Sequence, residues 1–190
     1  KSSGLLDGLR GIRPLHPHTM EAKFAPRDIG AVLRASRDEY AALAGQQGLF
    51  LKVVAPETPL WGLTDADQLI RIVGNLVNNA IKFTTRGGVT LWADEGIDGR
   101  VLVRVSDTGP GIPEQERERV FEEFYQIGNP SRDRSQGLGL GLAIVRRTAE
   151  LLKIEIELES ETGQGTTFTL HIPPAVPLEP ASAAGDQAQQ

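Results

Sequence analysis

Thr64-Asp-Ala-Asp67-Gln-Leu69-Ile-Arg-Ile72-Val73-Gly-Asn75-Leu76-Val77-Asn-Asn79-Ala80-Ile81-Lys82-Phe83 decides how the rest of this chain is read. Leu69, Ile72, Val73, Leu76, Val77, Ala80 and Ile81 recur at three- and four-residue spacing, which is one apolar stripe on a helix. Thr64, with Asp67 three residues on, reads as a capping box at its start. Asn75, Asn79 and Lys82 share another face of the same helix. Two amides and an ammonium on a largely buried helix each cost free energy unless something satisfies them. A Mg2+-polyphosphate does so, with an amide oxygen for the metal and an ammonium for a phosphate. Asparagines in helices also cap, bend or pair across an interface, and Lys82 reads equally as a solvated end. This helix alone favours that plainer reading.

Working outward, Asp28 caps a preceding helix to about Ala44, with Ile29, Val32, Leu33, Ala41 and Leu43 on its apolar side and Gly45 and Gly48 stopping it. Residues 19–24 form a short strand, and Leu49 to Val54 another. After the Asn-bearing helix, Val89 to Ala93 and Arg100 to Asp107 read as a hairpin turning through Asp98-Gly99. Val101, Val103 and Val105 face one way, and Asp107 is in phase with them, so its carboxylate points toward the core. Gly109 and Gly111 follow, permitting a tight turn and close backbone approach. Pro113 opens a short acidic helix to about Val120. Residues 127–136 are polar and aperiodic. Gly137-Leu138-Gly139-Leu140-Gly141 then enters a helix to about Leu152. Ile154, Ile156 and Leu158 alternate with glutamates in a strand with one wet face, and Thr166, Phe168, Leu170 and Ile172 share the inward face of the last.

Composition narrows the classes. The chain has 190 residues, a net charge of −5 and no cysteine. There is no long basic run to suggest nucleic-acid binding, no disulfide or Cys-ligated zinc, and no apolar run near the ~20 residues of a membrane span. The 21 glycines are the compositional oddity. Residues 1–13 carry Leu5, Leu6, Leu9 and Ile12 on one helical face, like the tail of a longer helix. From Pro174 to Gln190 the chain is rich in Pro, Ala, Ser and Gln, and reads as a linker or tail that cannot bury enough surface to order itself.

Three glycines before a helix form a cradle of backbone N–H groups for phosphate. A carboxylate on a strand end suits a purine's exocyclic amine. Together with the Asn face these features resemble, in order and spacing, the motifs of the catalytic ATP-binding domain of sensor histidine kinases, in the GHKL superfamily shared with gyrase and MutL. Asn75-Leu-Val-Asn-Asn79-Ala-Ile-Lys82-Phe83-Thr84 resembles the N box. Asp107-Thr-Gly109-Pro-Gly111-Ile112-Pro resembles the first glycine box, Phe121-Glu-Glu-Phe124 the F box, and Gly137-Leu138-Gly139-Leu140-Gly141 the second glycine box. Gly163-Gln-Gly165-Thr166-Thr-Phe168 resembles the last motif.

The resemblance implies an α/β, two-layer sandwich (the Bergerat fold) across residues 18–173, with a mixed, mostly antiparallel sheet and helices on one face. It implies ATP and Mg2+ as cofactors. Asp107 would accept the adenine amine, with Thr166 nearby; Asn79 would be the metal ligand, Asn75 would support the phosphate end and Lys82 would reach a phosphate. Phe83, Gly109, Gly111, Ile112, Phe124 and the second glycine box, Gly137 to Gly141, would line the nucleotide site. Phe83 stands where many relatives carry Tyr. Residues 126–138 resemble a mobile lid, with Arg132 and Arg134 as γ-phosphate contacts, or as solvated lid charges. His16, His18 and His171 lack the context of the family's phospho-accepting histidine. The implied activity is therefore transfer from ATP to a histidine on a dimerisation domain outside this chain, of which residues 1–13 would be the end. The implied downstream partner is a response regulator receiver domain, and the stretch 127–136 resembles hybrid kinases. The fragment is expected to be cytoplasmic and to make no direct membrane contact, and the resemblance leaves room for a parent anchored in the inner membrane. A GHKL ATPase, a serine-directed kinase and a nucleotide-binding scaffold are the alternatives. Asn75 weighs against the first, because hydrolysing relatives carry Glu there as a base for water and an amide takes no proton at neutral pH.

Overall fold

The computed structural model describes residues 21–128 and 139–175. The chain runs β1 (Ala25–Asp28), α1 (Ile29–Gln46), β2 (Phe50–Val54), β3 (Trp61–Thr64), α2 (Ala66–Phe83), β4 (Gly88–Glu95) and β5 (Val101–Asp107). Two 3-10 turns, Glu114–Glu116 and Arg119–Phe121, precede α3 (Gly141–Leu151), β6 (Glu155–Glu161) and β7 (Gly165–Ile172). The main sheet has the order β2-β4-β5-β7-β6. Only β2 and β4 pair in parallel; the other three pairings are antiparallel. The expected two-layer α/β sandwich with a mixed, mostly antiparallel sheet is the fold observed.

One core lies between the layers. The apolar stripe of α2 is buried along its length and belongs to a single cluster with Val89, Leu91, Val103, Val105, Phe168, Leu170 and Ile172 from the sheet. At ~1.5–3 kcal/mol per fully buried aliphatic side chain, the stripe contributes on the order of 10 kcal/mol before chain entropy is subtracted. That burial fixes the rotation of α2, and so the direction in which Asn75 and Asn79 point.

Local expectations differ from the structure in four places. The strand expected at residues 19–24 is instead β1 at Ala25–Asp28, and it pairs with β3, a strand that the sequence reading missed. Pro26 sits opposite Leu63 in this two-stranded ribbon, an edge position where a missing N–H is tolerated. The ribbon is close enough to the core that a Cβ on Gly62 would lie 2.8 Å from Ile172 Cγ2. The helix α2 is capped not by Thr64 but by Asp65, whose Oδ1 accepts from the N–H of Asp67 (3.0 Å) and Gln68 (3.2 Å). Thr64 is committed to β3, and its buried hydroxyl has no partner. The acidic helix expected from Pro113 to Val120 is two separate 3-10 turns, consistent with the run of charged and amide side chains from Glu114 to Arg119, which offers no apolar stripe to bury. The helix α1 passes Gly45 and ends at Gln46, with Asp28 as its cap. Beyond β7, Ala175 N–H still donates to Trp61 O (3.2 Å). Residues 1–13, His16, His18 and 176–190 lie outside the described residues, as do 129–138.

Candidate functional site

The face of α2 that carries its asparagines meets the start of α3. Asn75 uses its amide N–H on Arg71 O (2.9 Å), which leaves its oxygen free. A Cβ added to Gly141 would lie 3.7 Å from Asn75 Oδ1 and 3.9 Å from Asn79 Oδ1. Two amide oxygens thus converge on the first residue of α3, and no side chain caps that helix. Uncapped N–H groups carry the positive end of the helix dipole. Amide oxygens for a cation and N–H groups for an anion are therefore juxtaposed at one spot. Lys82 lies one turn further along α2, exposed, with its ammonium 5.0 Å from the centroid of the Phe83 ring. Phe83 is itself half exposed.

A second group of the expected site residues lies at strand termini. Asp107 closes β5, opposite Val89 on one side and Thr166 on the other. Its Oδ1 accepts from Gly109 N (2.8 Å). A Cβ on Gly109 would stand 2.8 Å from Asp107 Oδ1 and 3.1 Å from Thr84 Oγ1, so only glycine leaves this space open. Thr84 Oγ1 is buried and has no hydrogen-bond partner. Burial pushes the Asp107 carboxyl above its ordinary value, against the pull of the Gly109 and Thr166 backbone N–H groups. A half-buried carboxylate and an orphaned hydroxyl face the same small gap, which is a site that lacks a hydrogen-bonding ligand of its own.

Around this gap the turns are held by glycine. Gly165 has φ +109°, and a Cβ there would lie 2.0 Å from Asp107 O. Gly111 has φ +73° and passes so close to Glu161 O that a Cβ would be 2.1 Å away. Ile112 N–H donates to Ser160 Oγ (2.7 Å). The F box divides between two tasks. Phe121 packs edge-on against Phe168, with ring centroids 6.1 Å apart. Phe124 is exposed, has φ +63°, and donates its N–H to Gly139 O (3.0 Å). This bond ties the segment before residue 129 to the segment after 138, next to Leu140 and Gly141.

The structure therefore brings Asn75 and Asn79 to Gly141, and Asp107 to Gly109 and Thr166, and pins Phe124 to Gly139. It does not show Lys82 reaching any partner other than the Phe83 ring. Arg132, Arg134, Gly137 and Leu138 lie outside the described residues. Among the described residues no group of three or more His, Cys, Asp or Glu is arranged to hold a metal. The amide oxygens of α2 are the donors that fit Mg2+, a hard cation that keeps several ligands outside the protein.

Sequence reasoning gave Thr84 no role of its own and missed Ser160. Ser160 had a legible signal: it is in phase with Ile156 and Leu158, so it is a polar residue on the inward face of β6. It also missed a groove of about 280 Å³ beside Asn75, lined by Glu39, Tyr40, Ile70, Arg71, Gly74 and Ile144. The Tyr40 hydroxyl overhangs Gly74, where a Cβ would be 2.8 Å away; burial and the neighbouring Glu39 push its pKa up.

Comparisons with known proteins bear on the family and the fold. Residues 64–176 match the family described as histidine kinase-, DNA gyrase B-, and HSP90-like ATPase. The chain is similar to hybrid signal transduction histidine kinase D of Dictyostelium discoideum, at 31% identity over 89% of this chain and 11% of that protein. It is similar to sensor histidine kinase RcsC of Salmonella typhimurium, at 37% identity over 80% of this chain and 16% of that protein. The chain thus spans less than a fifth of the length of these relatives. Among solved structures, full-length ShkA in complex with AMPPNP superimposes with a TM-score of 0.72 and 35% identity, covering 82% of this chain and 32% of that one. The catalytic domain of histidine kinase ThkA, at 23% identity and a TM-score of 0.69 over 80% of this chain and 96% of that one, shares the fold. Among the described residues no helix is long and apolar enough to cross a membrane.

Proposed function

This chain belongs to the histidine kinase-, DNA gyrase B-, and HSP90-like ATPase family, and from that premise we propose that it binds Mg2+-ATP and transfers the γ-phosphoryl group to a histidine on a dimerisation domain outside this chain. The observation that carries the reading is the convergence of Asn75 Oδ1 and Asn79 Oδ1 on Gly141; we read the gap between Asp107 and Thr84 as the base end of the same nucleotide site. Residues 18–173 act as the catalytic unit, residues 1–13 as the end of a dimerisation helix or a linker, and 174–190 as a tail or linker.

In this reading Asp107 accepts the adenine 6-amine, and Thr84 and Thr166 supply further hydrogen bonds to the base or its water. Gly109, Gly111 and Ile112 shape the base end; Phe83 and Phe124 flank the opening. Asn79 holds Mg2+ through its amide oxygen, and Asn75 orients the same region from its bond to Arg71 O. When bound, Mg2+ offsets the charge of the phosphate oxygens. The N–H groups from Gly139 to Gly141 receive phosphate oxygens at the start of α3, and Lys82 swings from the Phe83 ring to a phosphate. Gly137, Leu138 and Arg134 complete the phosphate end, with Arg134 as its cation. Catalysis consists of positioning and electrostatic stabilisation, because the chain needs only to hold the γ-phosphoryl in line for a nucleophile supplied by its partner. Position 75 is an amide and cannot take a proton from water, which supports transfer over hydrolysis. A receiver domain of a response regulator is the downstream partner, and the cytoplasm the compartment.

The test is labelled ATP with this chain, with and without a separately supplied dimerisation domain. Acid-labile label should appear on that domain alone. Label on this chain, or brisk phosphate release without the acceptor, would overturn the reading.

A further inference from the structure

The proton inventory around Ser160 constrains what the base end can recognise. Ser160 Oγ donates to Gly165 O (2.9 Å), and a carbonyl can only accept. Its oxygen accepts from Ile112 N–H (2.7 Å). It also lies 2.9 Å from Thr166 Oγ1, where either atom could in principle donate. A hydroxyl has one proton and two lone pairs. Ser160's proton is spent on Gly165 O and one lone pair on Ile112, so the Thr166 hydroxyl proton must occupy the remaining lone pair. Thr166, almost fully buried, is left with lone pairs alone to present. Asp107, its cross-strand neighbour, is also an acceptor once ionised.

Resting on the ATP reading above, we propose that Ser160 is a specificity-determining residue: by holding the Thr166 proton it makes the base end a pair of acceptors, matched to a purine with a 6-amino group and mismatched to one with a 6-oxo group. Ser160 acts through Thr166 and is a positioning residue, with no contact to substrate required. Its bonds to Ile112 and Gly165 also hold the two glycine turns that bracket Asp107, so a purely structural role has a distinct signature. Loss of packing would weaken all purine nucleotides alike, whereas release of the Thr166 proton changes the balance between them. Freed from Ser160, Thr166 can rotate its proton toward a 6-oxo oxygen or toward the water bound to one.

The experiment compares ATP with inosine triphosphate by titration calorimetry, with thermal melting to check that each variant is folded. The intact chain should prefer ATP. Ser160→Ala should lower the ATP-to-inosine preference about tenfold, the size of one neutral hydrogen bond. Ser160→Thr, which keeps the hydroxyl, should retain the preference. Thr166→Val should lower it as well, and adding Ser160→Ala to Thr166→Val should change it no further. An equal loss of both nucleotides in Ser160→Ala, or an unchanged preference in either single variant, overturns the inference. Should Ser160→Ala not fold, the Thr166→Val and Ser160→Thr preferences decide the matter. Asp107→Asn separates this failure from a wider one. If the intact chain shows no preference and Asp107→Asn no loss, then the nucleotide reading itself has failed. If Asp107→Asn loses binding while Ser160→Ala keeps the native preference, only the role of Ser160 has failed.

Discussion

The two ends of the proposed nucleotide site are built by different means. The base end is assembled from strand termini: Asp107 on β5 and Thr166 on β7 are direct cross-strand partners, and Ser160 on β6 sits opposite Thr166. Sheet register sets their separations, and glycine turns whose Cβ positions would overlap backbone hold them there. The phosphate end is assembled from helix faces. Asn75 and Asn79 project from α2 toward the start of α3, where Gly141 leaves open space and, among the described residues, Phe124 N–H donates to Gly139 O. A register-locked end suits recognition of a rigid base. An end built between two helix faces suits phosphates that must be gripped, transferred and released.

The largest expected effect is at the phosphate end. Asn79→Ala removes the proposed metal donor and should reduce phosphoryl transfer by about a hundredfold or more, with a smaller effect on binding of adenosine alone. Transfer assays beside adenosine titrations check this, and equal losses in both would mean that Asn79 serves the fold rather than the metal.

At the base end, Asp107→Asn should weaken ATP about tenfold to a hundredfold, since a hydrogen bond to a charged group contributes ~1.5–3 kcal/mol. Without nucleotide, the same variant should melt no lower than the parent at neutral pH. The sign follows from burial. Because the folded carboxyl titrates above its ordinary value, Asp107 favours the fold most when protonated, and this contribution is lost as pH rises through the folded pKa. ATP binding should accordingly release protons in the window just above the ordinary aspartate value of 3.8. Calorimetry in buffers of different ionisation enthalpy measures this, and Asp107→Asn should abolish it.

Gly165→Ala strains the frame of the base end. At φ +109°, with a Cβ 2.0 Å from Asp107 O, it should destabilise the fold by roughly 1–3 kcal/mol and lower ATP affinity through displacement of Asp107. An unchanged melting temperature would show that the turn adapts, and that the two ends differ less in rigidity than their construction implies.

The smallest effect is at the cap of α2. Asp65→Ala should cost about 1 kcal/mol at neutral pH, read by denaturant melts. Burial pushes the Asp65 carboxyl up, but the N–H groups of Lys23, Gln68 and Asp67 outweigh it and hold it below the ordinary range. Its stabilisation is therefore complete above the ordinary value and lost as pH falls through the folded pKa. A Thr64→Val variant of parent-like stability would confirm which residue caps the helix.

What the sequence determined by itself was what periodicity and residue chemistry carry locally. The stripe of α2 dictated a helix with Asn75 and Asn79 on a shared face, and strict alternation in β5 brought Asp107 into phase with Val101, Val103 and Val105. The glycines around residues 109, 139 and 165 marked backbone that side chains would obstruct. The tertiary structure alone decided which distant residues meet. β3 exists because Trp61–Thr64 finds β1 and packs beside Ile172, a pairing with no local pattern to announce it. Asp65 and Thr64 compete for one cap, and the choice follows from β3 claiming Thr64. Ser160 gained its place because β5, β6 and β7 align in one register, Thr84 because the C-terminal cap of α2 meets Gly109 beyond β5, and Gly141 met the two amide oxygens because α2 and α3 pack together. Hydrogen-bond partners separated by 48 residues, as Ile112 and Ser160 are, are set by sheet pairing and by the exclusion of water from one shared core, and neither is written in a window of neighbouring residues.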